Sequence, residues 1–148
     1  MPDMPRNAFK HDLAAGKLQI GLWSSLCSNL AAEVISDSGF DWILLDTEHS
    51  PNEIPDLVTQ LQAVQRGTAT PIIRPAWNDA VLAKRCLDIG AQTLLFPYVQ
   101  NPEEAKRACN SRSTRSAGKA PQSNNQGGSQ PCVVCRNRCS ARCSRCRR

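Results

Sequence analysis

The sequence predicts an α/β fold of parallel strands joined by helices, and two observations carry that prediction. Apolar runs of strand length alternate with amphipathic stretches of helix length, and turn or capping residues stand between them. Leu18 to Trp23 is the first such strand. Ser28 caps a helix running to about Ser36, with Gly39 as its stop. Trp42 to Asp46 is a continuous apolar run ending in a charge, the pattern of a strand buried on both faces whose carboxyl end reaches a site. Ile54, Leu57, Val58 and Leu61 follow the helical i, i+3, i+4, i+7 spacing behind Asn52, and Gly67 closes that helix. Pro71 to Pro75 is the third strand. Asn78 or Asp79 opens a third helix that stops at Gly90, and Thr93 to Pro97 is the fourth strand. Asn101-Pro102-Glu103-Glu104 then supplies a cap, a proline at the first helical position and an acid at the capping-box position, so a fourth helix begins.

Four β/α units of about 25 residues each match the first half of an eight-unit barrel of about 250 residues. An open, doubly wound sheet is the other arrangement such units allow. No G-x-G-x-x-G or G-x-x-x-x-G-K-[ST] follows any strand, so nothing in the text favours nucleotide binding.

The average composition hides two unlike segments. Of 148 residues, all thirteen acids lie between Asp3 and Glu104, and nine of the eighteen Lys and Arg lie in 1–108, a net −4. Residues 109–148 carry the other nine bases, a net +9, and contain no Leu, Ile, Met, Phe, Trp or Tyr. A stretch so poor in apolar surface cannot offset the entropy of ordering itself, so a disordered tail is expected. Six of the eight cysteines fall there too: Cys109, Cys132, Cys135, Cys139, Cys143 and Cys146. The N-terminus lacks the apolar core of a secretory signal, and no run approaches the roughly 18 to 20 apolar residues of a membrane span, which makes a cytoplasmic enzyme the default.

Charged and aromatic residues gather at the strand ends: Trp23 after the first, Asp46, Glu48 and His49 after the second, Arg74 after the third. Barrel enzymes place their sites there. His49 titrates near neutrality beside two carboxylates that could orient it, which suits a general base; a solvated loop histidine is the plainer reading. Arg74 is a fork donor suited to an oxyanion or a carboxylate; a rim salt bridge with Asp46 or Glu48 is its plainer reading.

The strings Gln19-Ile-Gly-Leu-Trp23, Gly39-Phe-Asp-Trp-Ile-Leu-Leu-Asp-Thr-Glu-His-Ser-Pro-Asn52, Arg74-Pro-Ala-Trp-Asn-Asp79, Leu87-Asp-Ile-Gly-Ala-Gln-Thr-Leu-Leu95 and Val99-Gln-Asn101 resemble, in order and spacing, the HpcH/HpaI aldolases throughout 1–108. The resemblance implies the first half of a TIM barrel. It also implies a divalent-metal lyase, using Mg²⁺ or Mn²⁺, that cleaves 4-hydroxy-2-keto acids to pyruvate and an aldehyde or runs the condensation, and that works as a homo-oligomer. Carried over by position, His49 matches the family's catalytic base, Arg74 its transition-state stabiliser and a substrate contact, Trp23 a further substrate contact, and Asp88 the acid that makes the histidine more basic. Asp88 lies near the end of its predicted helix, before Ile89-Gly90, where an acid opposes the helix dipole. Two departures stand out: Thr47 occupies a position usually Gly, and Tyr98 one usually Met.

The family's metal ligands, a Glu and an Asp, and its loop for the substrate carboxylate belong to its second half, so no metal ligand is assigned in this chain. After Ala108 the loss of acids and large apolar residues falls inside a correctly capped helix, as a change of reading frame near codon 108 would produce. The rival reading is a non-enzymatic zinc- or nucleic-acid-binding module built on Cys132, Cys135, Cys139, Cys143 and Cys146 with interleaved arginines. It lacks His, aromatic residues for base stacking and a supporting apolar shell. The expectation is a partial barrel, inactive by itself and with two open sheet edges, followed by a basic tail.

Overall fold

A computed structural model describes residues 7–110 and the backbone of 130–135 and 138–139. The elements run α1 (Ala8–Ala14), β1 (Gly21–Ser24), α2 (Asn29–Ser36), β2 (Trp42–Asp46), α3 (Ile54–Val64), β3 (Thr70–Arg74), α4 (Ala80–Asp88), β4 (Thr93–Val99), α5 (Pro102–Asn110), β5 (Gln130–Cys135) and β6 (Arg138–Cys139). Strands β1 to β4 pair in chain order and in parallel.

The local signals explain most boundaries. Ser28 accepts from the Ala31 N–H at the start of α2, and Asp79 accepts from Val81 and Leu82 at the start of α4. Gly39 and Gly90 adopt φ of +86° and +108° where these two helices turn back, a backbone region that glycine enters without the Cβ penalty. The cap of α3 is Glu53 rather than Asn52, its N–H donating to Asp56 Oδ2 at 2.9 Å. Strand β1 is shorter than expected and β4 longer. Helix α1 has no strong apolar period and is not foreseen. It is tied down instead by Asn7, whose side chain accepts from Lys10 N and donates to Thr93 Oγ1 at 2.9 Å and Gln92 O at 3.2 Å.

Alternation along the strands separates two cores. Ile43, Leu45, Ile73, Leu94 and Phe96 face one side and pack against Ala32, Leu57, Leu61, Val64, Ala83, Cys86 and Ala105 of helices α2 to α5. Leu44, Ile72 and Leu95 face the other side, where Phe9 of α1 joins them and meets the Trp42 ring edge-on at 6.4 Å. Helices α2 to α5 therefore lie on one face of a sequentially ordered sheet. A doubly wound sheet would distribute them over both faces, so this arrangement is that of a barrel wall.

The expectation of disorder across 109–148 is corrected in part. Residues 109 and 110 complete α5, and β5 runs antiparallel to β4 with Leu94 opposite Val134 and Leu95 opposite Val133, continued by β6. Adding a strand to a sheet edge draws on main-chain hydrogen bonds and needs no large side chains, which is why composition missed it. It also changes which edges are open: β4 is covered in cis, and among the described strands the sheet now ends at β1 and at the two-residue β6. Residues 111–129, 136–137 and 140–148, with Cys143 and Cys146, lie outside the described residues.

Candidate functional site

The register of β2 against β3 sets Asp46 directly opposite Arg74 at the last rung, so the two side chains emerge together at the carboxyl end of the sheet. Asp46 Oδ1 accepts from Arg74 Nε at 2.8 Å, and Asp46 Oδ2 accepts from Nη2, a bidentate pair in which the carboxylate is 1% exposed. Trp23, one strand over on β1, donates its indole N–H to Asp46 Oδ2 at 3.2 Å and lies under the guanidinium, 4.4 Å from ring centroid to Cζ. Burial alone would raise the Asp46 carboxyl. Hydrogen bonds from Arg74, the Glu48 N–H and Trp23, with the arginine's charge, outweigh it and hold the group below its ordinary value.

The loop after β2 folds back on this pair. The Glu48 N–H donates to Asp46 Oδ1 at 2.9 Å, an Asx turn, and Thr47 docks on β3 by donating both its N–H, at 3.0 Å, and its hydroxyl, at 2.7 Å, to the Arg74 carbonyl. Thr47 is absent from the positive-φ residues, so the backbone freedom of a glycine is not used here. The Glu48 side chain, 7% exposed, turns inward: Arg74 Nη1 lies 2.7 Å from its Oε2. That approach is an ion pair but is not aligned as a hydrogen bond, leaving this buried oxygen without a hydrogen-bond partner. Its Oε1 faces His49 Nε2 at 3.5 Å, and His49 itself is 68% exposed. Glu48 thus stands between the imidazole and the guanidinium.

The structure brings Trp23, Arg74 and His49 to one rim and adds Asp46 and Glu48 as the groups that join them. Both carboxylates were visible in the sequence beside His49. Their link to Arg74, offered in the sequence as one carboxylate or the other, includes both, and strand register accounts for the Asp46 pair. Both plainer readings describe part of what is seen: Arg74 is a rim ion pair with Asp46 and Glu48, and His49 is a solvent-facing loop residue. They do not exhaust Arg74, because a guanidinium has five N–H donors and only those on Nε and Nη2 are hydrogen-bonded here, both to Asp46. Asp88 is elsewhere. It is the exposed last residue of α4, at the end of the unit opposite the strand carboxyl termini, and among the described residues no hydrogen bond or ion pair connects it to His49.

The pair Asp46 and Glu48 does not fit a divalent cation as it stands, since both carboxylates are turned to Arg74. Among the described residues no group of three or more His, Cys, Asp or Glu side chains converges elsewhere. Tyr98, the other departure noted in the sequence, takes φ +55° and stacks on Trp77 with centroids 4.7 Å apart, where the pairing of β4 with β5 is irregular.

Known proteins share this sequence and this wall. The chain is 55% identical over 109 residues to 4-hydroxy-2-oxo-heptane-1,7-dioate aldolase of Klebsiella pneumoniae, covering 74% of this chain and 40% of that protein. It is 58% identical over 106 residues to pyruvate aldolase of Rhizobium etli, covering 72% and 42%. The chain therefore spans about two fifths of the length of the curated relatives it matches. Among solved structures, an HpcH/HpaI aldolase/citrate lyase family protein from Burkholderia cenocepacia superposes with a TM-score of 0.70 at 37% identity, over 72% of this chain and 43% of that one. The family model for HpcH/HpaI aldolase/citrate lyase matches residues 19–126. On sequence and on fold, the chain belongs to the HpcH/HpaI aldolase/citrate lyase family.

Proposed function

We propose that this chain carries the base and the enolate-stabilising group of a carbon–carbon lyase acting on 4-hydroxy-2-keto acids. The observation that carries the reading is the convergence of His49, Glu48, Arg74 and Trp23 at the carboxyl ends of β1 to β3. The names of the relatives at 55% and 58% identity support the same chemistry.

In the cleavage direction His49 takes the proton of the 4-hydroxyl as a general base. The C4 oxygen becomes the aldehyde carbonyl, the C3–C4 bond breaks, and its electron pair passes to the enolate of pyruvate. The N–H groups of Arg74 that do not bond Asp46 would meet that oxyanion, a role supported by Trp23 and Asp46 holding the guanidinium plane. Protonation at C3 then gives pyruvate. Glu48 orients His49 by direct approach, and Asp88, carried over by position, belongs to the proposal without a contact to His49 among the described residues. Mg²⁺ or Mn²⁺, a homo-oligomeric assembly and a cytoplasmic setting are also part of it; the metal would be held by residues other than those described. Among the described residues no helix is long and apolar enough to cross a membrane.

The boundary near Ala108, with an out-of-frame origin for 109–148, completes the proposal. The loss of every acid and large apolar residue supports it, and a genomic read that keeps one frame across codon 108 through the rest of a barrel would overturn it.

The activity is tested by joining residues 1–108 to the remaining length of the Rhizobium etli pyruvate aldolase and measuring pyruvate release from a 4-hydroxy-2-keto acid with Mg²⁺ or Mn²⁺. Turnover is expected, with His49→Ala lowering kcat about a hundredfold or more while pyruvate binding survives. Full cleavage by His49→Ala at every pH would return His49 to a solvated loop residue.

A further inference from the structure

We infer that Asn52 and Gln60 are positioning residues: a buried side-chain relay from α3 holds the loop from Asp46 to Asn52, and with it Glu48 and His49, on the strand-end rim. This rests on the reading of Glu48 and His49 as site residues. At Asp46 the β2 chain leaves the sheet, and its carbonyl is taken by two side chains of the loop itself, the Ser50 hydroxyl and Asn52 Nδ2, the latter at 2.8 Å. The loop is thereby closed over the residues that carry the imidazole and the inner carboxylate.

The direction of the relay is fixed by chemistry. A carbonyl can only accept, so the Asn52 amide must present its NH₂ to Asp46 O, and its Oδ1 is left as an acceptor. Gln60 fills that acceptor with Nε2 at 2.7 Å and also reaches Asp56 O at 3.3 Å. Both amides are buried, Asn52 at 3% and Gln60 at 0% exposure. With its nitrogen committed, Gln60 Oε1 stays buried and without a partner. Gln60 sits on the stripe of Leu57, Leu61 and Val64, which faces the helix-side core. An apolar residue there would pack without an orphaned oxygen. Stability alone does not account for a half-satisfied amide on that stripe, whereas a loop that must be held does.

The test is amide hydrogen exchange, followed by NMR, on the full chain. Gln60→Leu keeps the bulk of the side chain and removes the donor; Asn52→Asp still accepts from Gln60 but cannot donate to the Asp46 carbonyl. In both, exchange at the Thr47 and Glu48 amides is expected to rise about tenfold or more, while Ile43 and Leu45 in β2 stay within about twofold of the parent. Unchanged exchange at Glu48 in a folded variant would overturn the inference. So would an equal acceleration of all four amides, or failure of both variants to fold, since either marks a purely structural pair. Aldol turnover is not read in this experiment. An inactive joined barrel with a loosened loop in the variants would fail the lyase reading alone, and an active one with an unmoved loop would fail the relay alone.

Discussion

Three charges meet at the end of β2 and β3, and their balance sets how the rim responds to pH. Asp46 and Glu48 against Arg74 leave one negative charge. Because the folded-state pKa of Asp46 is depressed, the stability it contributes is complete above its unfolded value near 3.8 and is lost as pH falls through the lower folded value. Asp46→Asn removes that dependence and leaves Arg74 with Glu48 alone. At neutral pH the variant is expected to lose about 3 kcal/mol, the scale for breaking a buried pair, with a flatter stability profile below pH 4. Urea titrations of both proteins between pH 3 and 7 check this, and parallel acid profiles would refute it. At this scale the sequence was informative about identity and offered Asp46 or Glu48 as partners of Arg74 without deciding between them. His49, Arg74 and Trp23 were legible as strand-end residues, but that Arg74 engages both carboxylates depends on β2 and β3 being in register, and Gln60 was not singled out.

Between elements, the tightest constraint lies where α3 gives way to β3. Gly67 runs against the end of α2: a Cβ there would fall 2.5 Å from the Ser36 carbonyl carbon and oxygen, and the next two N–H groups, of Thr68 and Ala69, donate to that same oxygen at 2.9 and 3.0 Å. Backbone cannot yield as a side-chain tip can. Gly67→Ala is therefore expected to cost about 1–3 kcal/mol, the range for overpacking, read as a lower denaturation midpoint with an unchanged slope. A neutral substitution would show that the α2–β3 junction shifts freely. The sequence marked a helix stop near Gly67, and α3 ends a little earlier at Val64 with Gln65 as its cap, but the close approach could not be read from it. Capping residues fared better, because Ser28 and Asp79 act within three residues of themselves. Asn7 shows the contrast, since its long-range partners Gln92 and Thr93 lie more than eighty positions away.

Across the whole molecule the sheet ends at β1 on one side and, beyond β4, at strands that the tail of the same chain supplies. At β1 the main chain has no further strand among those described, and Leu18, Ile20, Leu26, Leu30 and Val34 nearby are exposed. At β4 the antiparallel β5 covers the edge. Ending the polypeptide at Asn110 would bare that second edge, and the shortened chain is expected to self-associate at concentrations where the full chain does not, as light scattering after gel filtration would show. Equal behaviour of the two would mean that β5 protects nothing. The parallel wall was legible because each β/α unit is a local pattern; the closure by β5 was not, because it joins segments that composition treats as unrelated. The core of that wall contains Cys86, whose thiol is pushed up to about 11 mainly by burial. Thiolate is the reactive form, so an alkylating reagent meets an inert sulfur until α4 leaves the sheet. Its labelling rate, resolved from Cys27 and Cys109 by peptide mass, is then a clock that counts openings of the barrel wall.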